Sequence, residues 1–557
     1  MKSLFSLSLL ISAIIYKRQY DHQNVENINI DNIYGQKFDY IVVGAGAAGA
    51  IVAYRLADET GATVLLLEAG GQQNFNNDIP AFQDKVENSV QNWNYTSTEN
   101  DQIAAGRVFG GSSAINSMNY YRESPDYYRL WADITGLSNV WSYDNVLPYF
   151  LKSENNLDQK LVTNSPGYHR RGGRVTVTSS QPNAMMKQLL ISAQLFGHKL
   201  TFSDGRKPMG TAVLQNTIDA NRSRVSTGTA FLENNCLKNL NILGNSLVTK
   251  IIFNKRKQAI GVEFYRSDRK YRVFANKEII LSAGSIGSPK LLMMSGVGPR
   301  DHLKQFGISV ITDVKVGHNF VHSLGIIMTF DIINQSMVMA PTNTFNNFVD
   351  YYIRHTGPLG YNQSTIICFP ELAYSRTYPE LSNGCVMART GLLGNRIVLF
   401  FIVILKHPKT SGRIELTSGN PFTSPIVKIC KLCHKSDIDK LIKVIKLALP
   451  IFTSSHMKKY IKINAIADCY PCNGNYFCYQ YIRCILQKRT ILPVPMGGCR
   501  MGVSPDNGAV VDKNFKVFGV HGLRVIDSSI IPVPSEQGNA ISMMIGEYGA
   551  DTVIKNK

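Results

Sequence analysis

Gly44, Gly46 and Gly49 have the spacing G-x-G-x-x-G, which binds the phosphates of a dinucleotide when it joins a strand to a helix. The first glycine permits a tight turn, the second lets the backbone approach a pyrophosphate, and the third lets helix and strand pack closely. Glu68 follows about 20 residues later, where a carboxylate accepts hydrogen bonds from ribose hydroxyls and repels a 2′-phosphate. The alternative interpretation is a glycine-rich packing turn that binds nothing.

The elements around these glycines are those that a phosphate site requires. Residues 40–43 are an apolar run that predicts a strand buried on both faces, and residues 63–67 predict a second strand that ends at Glu68. Between them, apolar residues recur with helical spacing from Ile51. The start of this helix offers free N–H groups and the positive end of its dipole to a phosphate. The order strand, turn, helix, strand, acid therefore favours dinucleotide binding.

Length and composition indicate a globular protein with a large core. The chain has 557 residues, of which 44% are hydrophobic and 18% charged. The net charge is +19, but the basic residues are scattered and form no tract with stacking aromatics. We therefore expect a solvated basic surface and no nucleic-acid partner. The apolar run at residues 4–15 is shorter than the ~20 residues of a membrane span, so we predict a leader at residues 1–20 and no stable span.

Cysteines are concentrated near the C-terminal third of the chain. Six of the ten lie between Cys430 and Cys484, and C-x-x-C occurs at Cys430/Cys433 and at Cys469/Cys472. Zinc is one interpretation of such pairs. We favour disulfides without a metal, because the leader and four N-x-S/T triplets indicate a secreted or luminal glycoprotein. The triplets begin at Asn94, Asn221, Asn334 and Asn362.

Two longer glycine-rich segments narrow the interpretation further. The first reads GRVFGGSSAIN at residues 106–116, and the second reads GSIGSPKLLMMSGVG at residues 284–298, after the apolar strand 278–281. With the glycine motif, these segments resemble the glucose–methanol–choline (GMC) family of FAD oxidoreductases, in particular its secreted glucose-dehydrogenase-like branch. The resemblance extends over nearly all of residues 38–557. The two flavin signatures argue against a nicotinamide-dependent Rossmann enzyme.

The resemblance implies an α/β fold with two domains. A Rossmann-like, discontinuous FAD-binding domain would comprise residues 38–150, 215–315 and 490–557. An α+β substrate domain would comprise residues 151–214 and 316–489, and its antiparallel sheet would roof the flavin.

Several elements of these domains can be predicted locally. The alternation at residues 411–417 predicts a strand of the antiparallel sheet, and the apolar run at residues 397–405 predicts a buried strand. Residues 437–452 predict an amphipathic helix, and residues 540–554 predict a helix behind Asn539.

The resemblance also implies which residues contact FAD. Val248 would lie in the strand that meets the adenine, Asp527 would accept hydrogen bonds on the ribityl or phosphate side, and Asn539 would precede a helix whose positive end faces the flavin pyrimidine. The full predicted set is Gly44, Gly46, Gly49, Glu68, Ala69, Arg107, Val108, Gly110, Gly111, Ser112, Asn116, Val248, Ala283, Asp527 and Asn539.

The acid–base residues of the family are missing from this chain. Family members place a catalytic histidine at the position of Val494 and an assisting histidine or asparagine at that of Gln537. Valine has no lone pair, and a glutamine amide is no base near neutral pH. His322 is a candidate for a displaced base, with a surface or loop histidine as the alternative.

The predicted function follows from the cofactor signatures and this departure. We expect an FAD-dependent oxidoreductase that acts on CH–OH groups of an alcohol or sugar and passes electrons to a quinone, a dye or oxygen. We expect its turnover to be impaired, and the alternative is a catalytically silent flavoprotein with a binding or structural role. A lyase is less favoured because family lyases also use the missing histidine.

Overall fold

The structure is a computed structural model. It describes residues 2–198, 200–202, 211–339, 342–361, 367–368, 384–394, 396–405, 408–431, 433–464, 469–473, 478–488, 490–491, 494–535 and 537–556.

The α-helices of the described residues are distributed over the whole chain. In chain order they are α1 (Lys2–Gln23), α2 (Gly49–Thr60), α3 (Phe75–Asp78), α4 (Gln83–Glu87), α5 (Pro125–Thr135), α6 (Tyr143–Ser153), α7 (Gln159–Asn164), α8 (Ala184–Leu195), α9 (Gly284–Met294), α10 (Arg300–Gln305), α11 (Phe345–Tyr352), α12 (Lys435–Thr453), α13 (Tyr479–Lys488) and α14 (Gly538–Lys555).

The strands of the described residues are mostly short, with long ones in two sheets. In chain order they are β1 (Lys37–Val43), β2 (Val64–Leu67), β3 (Tyr95–Thr96), β4 (Gln102–Ile103), β5 (Asn119–Tyr120), β6 (Glu154–Asn156), β7 (Val175–Ser179), β8 (Leu200–Phe202), β9 (Thr211–Val213), β10 (Gln215–Asn216), β11 (Leu240–Leu243), β12 (Leu247–Phe253), β13 (Ala259–Arg266), β14 (Arg269–Leu281), β15 (Phe320–Val321), β16 (Leu324–Ile332), β17 (Ile367–Cys368), β18 (Gly384–Leu393), β19 (Arg396–Leu405), β20 (Arg413–Glu415), β21 (Ile426–Lys428), β22 (Ile461–Asn464), β23 (Thr490–Ile491), β24 (Met496–Gly497) and β25 (Leu523–Val525).

The first large sheet is parallel at its centre. Its order is β11-β2-β1-β14-β13-β12, and β25 pairs with β14. Strands β11, β2, β1, β14 and β25 run parallel, so the ends of β1, β2 and β14 at Val43, Leu67 and Leu281 meet at one edge. Helices α2 and α14 lie against each other beside this sheet. The predicted strands at residues 40–43, 63–67 and 278–281 are confirmed, because their apolar runs are buried on both faces.

The second large sheet is mainly antiparallel and has the order β22-β16-β19-β18-β17-β9-β8, with β23 paired to β16. The predicted buried strand at residues 397–405 is confirmed as β19. One face of the sheet packs on helices α8 and α12, and the predicted amphipathic helix at residues 437–452 lies within α12. The opposite face carries Met387, Phe400 and Ile402, which form a separate apolar cluster.

The expected strand at residues 411–417 was assigned to the wrong sheet. Only Arg413–Glu415 is a strand, and it pairs with β21 in a two-stranded ribbon. Gly412, just before this strand, instead makes an isolated bridge with Phe320. The alternation identified a strand but could not identify its partner.

Six cysteines form three disulfides, Cys430–Cys433, Cys469–Cys484 and Cys472–Cys478. The prediction of disulfides is therefore confirmed, although the C-x-x-C pair Cys469/Cys472 does not close on itself. Within the described ranges, no group of three or more histidine, cysteine or carboxylate side chains could hold a metal, and no helix is long and apolar enough to cross a bilayer. The N-x-S/T triplet that begins at Asn362 lies outside the described residues.

Helix α1 is joined to the body of the protein by a buried ionic cluster. Arg18 donates to both carboxylate oxygens of Asp78 at 3.0 and 2.9 Å. His22 lies beyond the predicted leader and is buried between the carboxylates of Asp78 and Glu233, with its Nε2 at 3.2 Å from Asp78. Burial alone would lower the pKa of His22, but both carboxylates favour the imidazolium and raise its pKa to about 9.

The pKa of His22 predicts a pH-dependent stability. A raised folded-state pKa stabilises the fold fully below the unfolded value of 6.5, and this contribution is lost as the pH rises towards about 9. We expect urea titrations to show a loss of about 3 kcal/mol in the free energy of unfolding over this interval. His22→Gln should flatten the dependence, whereas His434→Gln, at an exposed position, should leave it unchanged. The same slope in both variants would contradict the role of His22.

Candidate functional site

A cavity of about 690 Å³ lies at the edge where the central parallel strands end. Its wall includes Val43, Leu67 and Ser282 from the ends of β1, β2 and β14, and Met387 and Ile402 from the antiparallel sheet. A crevice at the carboxyl ends of parallel strands is the usual ligand site of such sheets. The two sheets therefore enclose one site from opposite sides.

Backbone atoms around the glycine motif are packed too closely for side chains. Gly44 has φ +100°, and a Cβ there would lie 2.4 Å from the carbonyl oxygen of Ser282. A Cβ at Gly49 would lie 1.9 Å from the carbonyl oxygen of Gly44. A Cβ at Gly46 would have its nearest neighbour at 3.9 Å, and Gly46 lines the cavity. The first and third glycines thus allow close packing, and the second leaves room for a ligand.

The segment at residues 106–116 lies against the same turn. A Cβ at Gly111 would lie 2.6 Å from the Cα of Gly46, so these two backbones are in direct contact. Gly110 donates its N–H to the carbonyl oxygen of Ala45 at 2.8 Å. Ser112 and Asn116 line the cavity next to this contact. The two glycine-rich segments therefore form one continuous part of the wall.

Glu68 is a buried carboxylate at the end of β2. It accepts hydrogen bonds from the backbone N–H groups of Ala45 and Gly70 at 2.9 and 2.8 Å. Burial nevertheless raises the pKa of Glu68 to about 7, because two backbone donors do not replace the water that was lost. Hydroxyl groups of a ligand would supply further donors, as the ribose of a dinucleotide does.

Most of the residues predicted to contact a cofactor line this cavity. They are Gly44, Gly46, Glu68, Ala69, Gly111, Ser112, Asn116, Val248, Ala283, Asp527 and Asn539. Their contact with FAD stays a prediction.

Four predicted residues, Gly49, Arg107, Val108 and Gly110, do not line the cavity. Arg107 lies over the ring of Trp93 at 4.9 Å, and Val108 packs in a small buried cluster. Gly49 is the first residue of helix α2, and Gly110 donates its N–H to Ala45 in the turn after β1. A motif gives positions along the chain and does not give the side on which each residue lies.

Asp527 accepts several hydrogen bonds from the protein, whereas the amide of Asn539 has no partner among the described residues. Asp527 accepts from the Gly284 N–H at 2.9 Å, the Ser288 hydroxyl at 2.5 Å and the Ser529 N–H at 2.8 Å. Burial still raises its pKa. Both amide atoms of Asn539 are buried and lack a partner among the described residues. Because such groups are costly to bury unsatisfied, a ligand with a donor and an acceptor at the start of α14 would stabilise Asn539.

The part of the cavity beside Val494 and Gln537 is largely apolar. Ile327, Ile402 and Met387 lie side by side on β16, β19 and β18 and line it. Gln537 donates from Nε2 to the Met387 sulfur at 3.5 Å and accepts at Oε1 from Asn119 at 3.3 Å. No histidine is among the described residues that line the cavity.

His322 is neither a cavity residue nor a surface residue. Its side chain is 1% exposed, its Nδ1 lies 3.1 Å from the carbonyl oxygen of Ser323, and burial lowers its pKa. The interpretation as a loop histidine agrees with its place between β15 and β16, but the side chain is buried and not at the surface. His322 is not among the described residues that line the cavity, and its role as a displaced base stays a prediction.

Sequence reasoning missed the residues on β18. Met387 and Arg389 line the cavity, and alternation along a strand could have placed them on one face. Nothing in the local pattern indicates that this face borders the site.

Comparison with known proteins now decides the family. Models described as GMC oxidoreductase match residues 38–324 and 408–546. This chain belongs to the GMC oxidoreductase family.

Relatives of this GMC oxidoreductase are similar along nearly their whole length. Ecdysone oxidase from Bombyx mori is 33% identical over 566 residues, covering 93% of this chain and 82% of the relative. Glucose dehydrogenase [FAD, quinone] from Drosophila melanogaster is 32% identical over 553 residues, covering 92% and 86%. A solved structure of formate oxidase from Aspergillus oryzae RIB40 superposes with a TM-score of 0.82 at 23% identity, covering 94% of this chain and 99% of that one. The last comparison bears on the fold alone, and it agrees with the predicted α/β architecture.

GMC oxidoreductases are FAD-dependent, and the cavity of this one suits that cofactor. The glycine cradle leaves no room for side chains, Glu68 lacks hydroxyl donors, and Asn539 lacks both kinds of partner. These features fit a group with a pyrophosphate, a ribose and a heterocyclic ring.

A conservative change at Glu68 tests this fit. Glu68→Gln keeps the shape of the side chain but replaces the carboxylate that would accept hydrogen bonds from the ribose hydroxyls. We therefore expect FAD to bind roughly 10- to 100-fold more weakly. Equilibrium dialysis of deflavinated protein measures this, with Glu99→Gln at an exposed position as the control. Equal affinity in both variants would show that Glu68 does not contact the cofactor.

Proposed function

We propose that this GMC oxidoreductase oxidises CH–OH groups of a hydroxylated small molecule, and that its turnover is limited by the lack of a general base. The observation that carries the proposal is the pair Val494 and Gln537 in the cavity wall, with no histidine lining the described part of it. The relatives ecdysone oxidase and glucose dehydrogenase support a steroid alcohol or a sugar as substrate class. One of these names includes a quinone, which supports a quinone as electron acceptor, with oxygen as the alternative.

The chemistry divides between the cofactor and the chain. Bound FAD would supply the acceptor for a hydride from the alcohol carbon. The chain must hold the hydroxyl and remove its proton. Gln537 can orient a hydroxyl through its amide, but neither it nor Val494 can hold the proton near neutral pH. A general base typically contributes roughly 10²- to 10⁴-fold, or about 3–5 kcal/mol of the barrier.

The apolar surroundings of Val494 and Gln537 make the lack of a general base more costly to the rate. Met387, Ile402 and Ile327 border the same part of the cavity and offer no proton acceptor. An alkoxide would also be poorly solvated there, so a hydroxyl gains little acidity from its surroundings. The same observations favour a second candidate function, a flavoprotein that binds a hydroxylated ligand without oxidising it.

Restoring the histidine separates the two candidates. We expect Val494→His to increase the rate at which an alcohol bleaches the flavin anaerobically by roughly 10²- to 10⁴-fold. Val494→Leu is the control for a change of shape alone, and flavin content is measured for each variant because Val494 abuts Gly538. Wild-type bleaching as fast as that of Val494→His would mean that another base is present. Bleaching in Val494→His but none in the wild type would favour the silent flavoprotein.

We also infer that the protein passes through the secretory pathway. The three disulfides and the predicted leader support this, and so does the exposure of Asn94, Asn221 and Asn334 at the surface.

Glycosylation gives a direct check of this inference. We expect protein from a secreting eukaryotic host to lose mass when treated with a peptide N-glycosidase, because the acceptor asparagines are accessible. Intact mass spectrometry measures the loss, and a triple Asn→Gln variant at residues 94, 221 and 334 should lose less. A mass unaffected by the enzyme would contradict the inference.

A further inference from the structure

Arg389 places a cation in the cavity wall, next to the apolar side chains of Met387 and Phe400. It lies two residues after Met387 on β18, so both side chains are on the same face of the sheet. Phe400 pairs directly with Arg389 on β19, and the guanidinium carbon lies 4.8 Å from the centre of the Phe400 ring. The ring supports one face of the guanidinium and leaves its N–H edges free to point elsewhere.

Arg389 has no ion pair and no hydrogen bond within the described part of the chain. Its Nε is enclosed by protein and lacks an acceptor. Asp84 and Glu87 on α4 line the same cavity and influence its charge, but neither is within ion-pairing distance. Burial lowers its pKa, as expected for a cation that has lost water without gaining a full partner.

Three other arginines with little exposure are ion-paired, whereas the buried Arg224 donates to backbone carbonyl oxygens instead. Arg122 pairs with Glu154, Arg524 with Glu278, and Arg55 with Glu547, at distances of 2.6 to 2.9 Å. Pairing is the usual requirement for a buried charge, since an unpaired one is strongly destabilising. Arg389 borders the cavity instead and has no acceptor among the described residues, so a ligand in the cavity could supply one.

We propose that Arg389 binds a carboxylate of the substrate and thereby selects hydroxy acids. The planar fork of the guanidinium donates two parallel hydrogen bonds to a carboxylate, which is its strongest common partner. Gln537 contacts Met387, and Arg389 lies about 7 Å further along the strand, so an apolar spacer of that length would separate hydroxyl and carboxylate. This assignment rests on the proposed function, because it takes the reacting hydroxyl to lie beside Val494 and Gln537.

Two acidic side chains, Asp84 and Glu87, line the same cavity and give a further test of carboxylate binding at Arg389. Asp84 and Glu87 repel an anion, so a carboxylate binds only if its contact with Arg389 outweighs them. Glu87 is the more enclosed of the two, and Asp84 is exposed and screened by solvent. Neutralising Glu87 should therefore strengthen the binding of a carboxylate, whereas neutralising Arg389 should weaken it.

Ligand binding to the flavin-loaded full chain tests the assignment without turnover. Straight-chain carboxylates are titrated and followed by the change in the flavin absorption spectrum, and amides and alcohols of equal length serve as neutral probes. We expect the wild type to bind the carboxylate roughly 10- to 100-fold more tightly than the amide. Arg389→Gln should lose this preference, Arg389→Lys should keep part of it, and Glu87→Gln should increase it. The neutral alcohol should bind alike in all four proteins.

Two results would overturn the assignment. One is a wild type that binds carboxylate and amide equally, which requires no variant to fold. The other is an Arg389→Gln variant that retains full flavin content and the carboxylate preference. Carboxylate binding that depends on Arg389 would support the assignment even if no hydroxy acid bleached the flavin, and that failure would count against the proposed oxidation alone. Bleaching by alcohols without any gain from a carboxylate would overturn the assignment and leave the oxidation standing.

Discussion

Close contact of backbone with backbone is the constraint on which the rest of this structure depends. The turn after β1, the segment at residues 106–116 and the end of β14 meet where Gly44, Gly49 and Gly111 leave no space for a Cβ. Because these three segments touch directly, the ends of the parallel strands, the start of α2 and the wall beside Ser112 are fixed relative to one another. Gly46 is the position in this contact that keeps open space, and that space belongs to the cavity.

The cavity has two ends that are built by different parts of the chain. The end at the parallel sheet is polar and carries Glu68, Asp527 and Asn539, whose hydrogen-bonding needs suit FAD. The other end is bordered by the antiparallel sheet. Apolar side chains surround Val494 and Gln537 there, and the guanidinium group of Arg389 lies in the cavity wall. The residues of the first end are therefore separate from Val494 and Gln537 at the second end.

Local patterns predicted the first end well and the second end poorly. The glycine spacing and the apolar runs predicted β1, α2 and β2, because a buried parallel strand and a helix start are encoded by neighbouring residues. The partner of β20, the pairing of Cys469 with Cys484 and the burial of His322 depend on contacts between distant segments. Arg389 carries no motif, and its importance follows only from Phe400 beside it and the absence of a carboxylate partner among the described residues.

The central claim is that an intact FAD site is combined with a substrate end that has no base of its own. The pH dependence of anaerobic flavin reduction by an alcohol tests it most directly. An enzyme with a histidine base reaches a plateau above the pKa of that histidine, which is ordinarily about 6.5. The claim predicts that the rate instead keeps rising with hydroxide concentration through the neutral and alkaline range. A plateau set by a single protein group near neutral pH would contradict it.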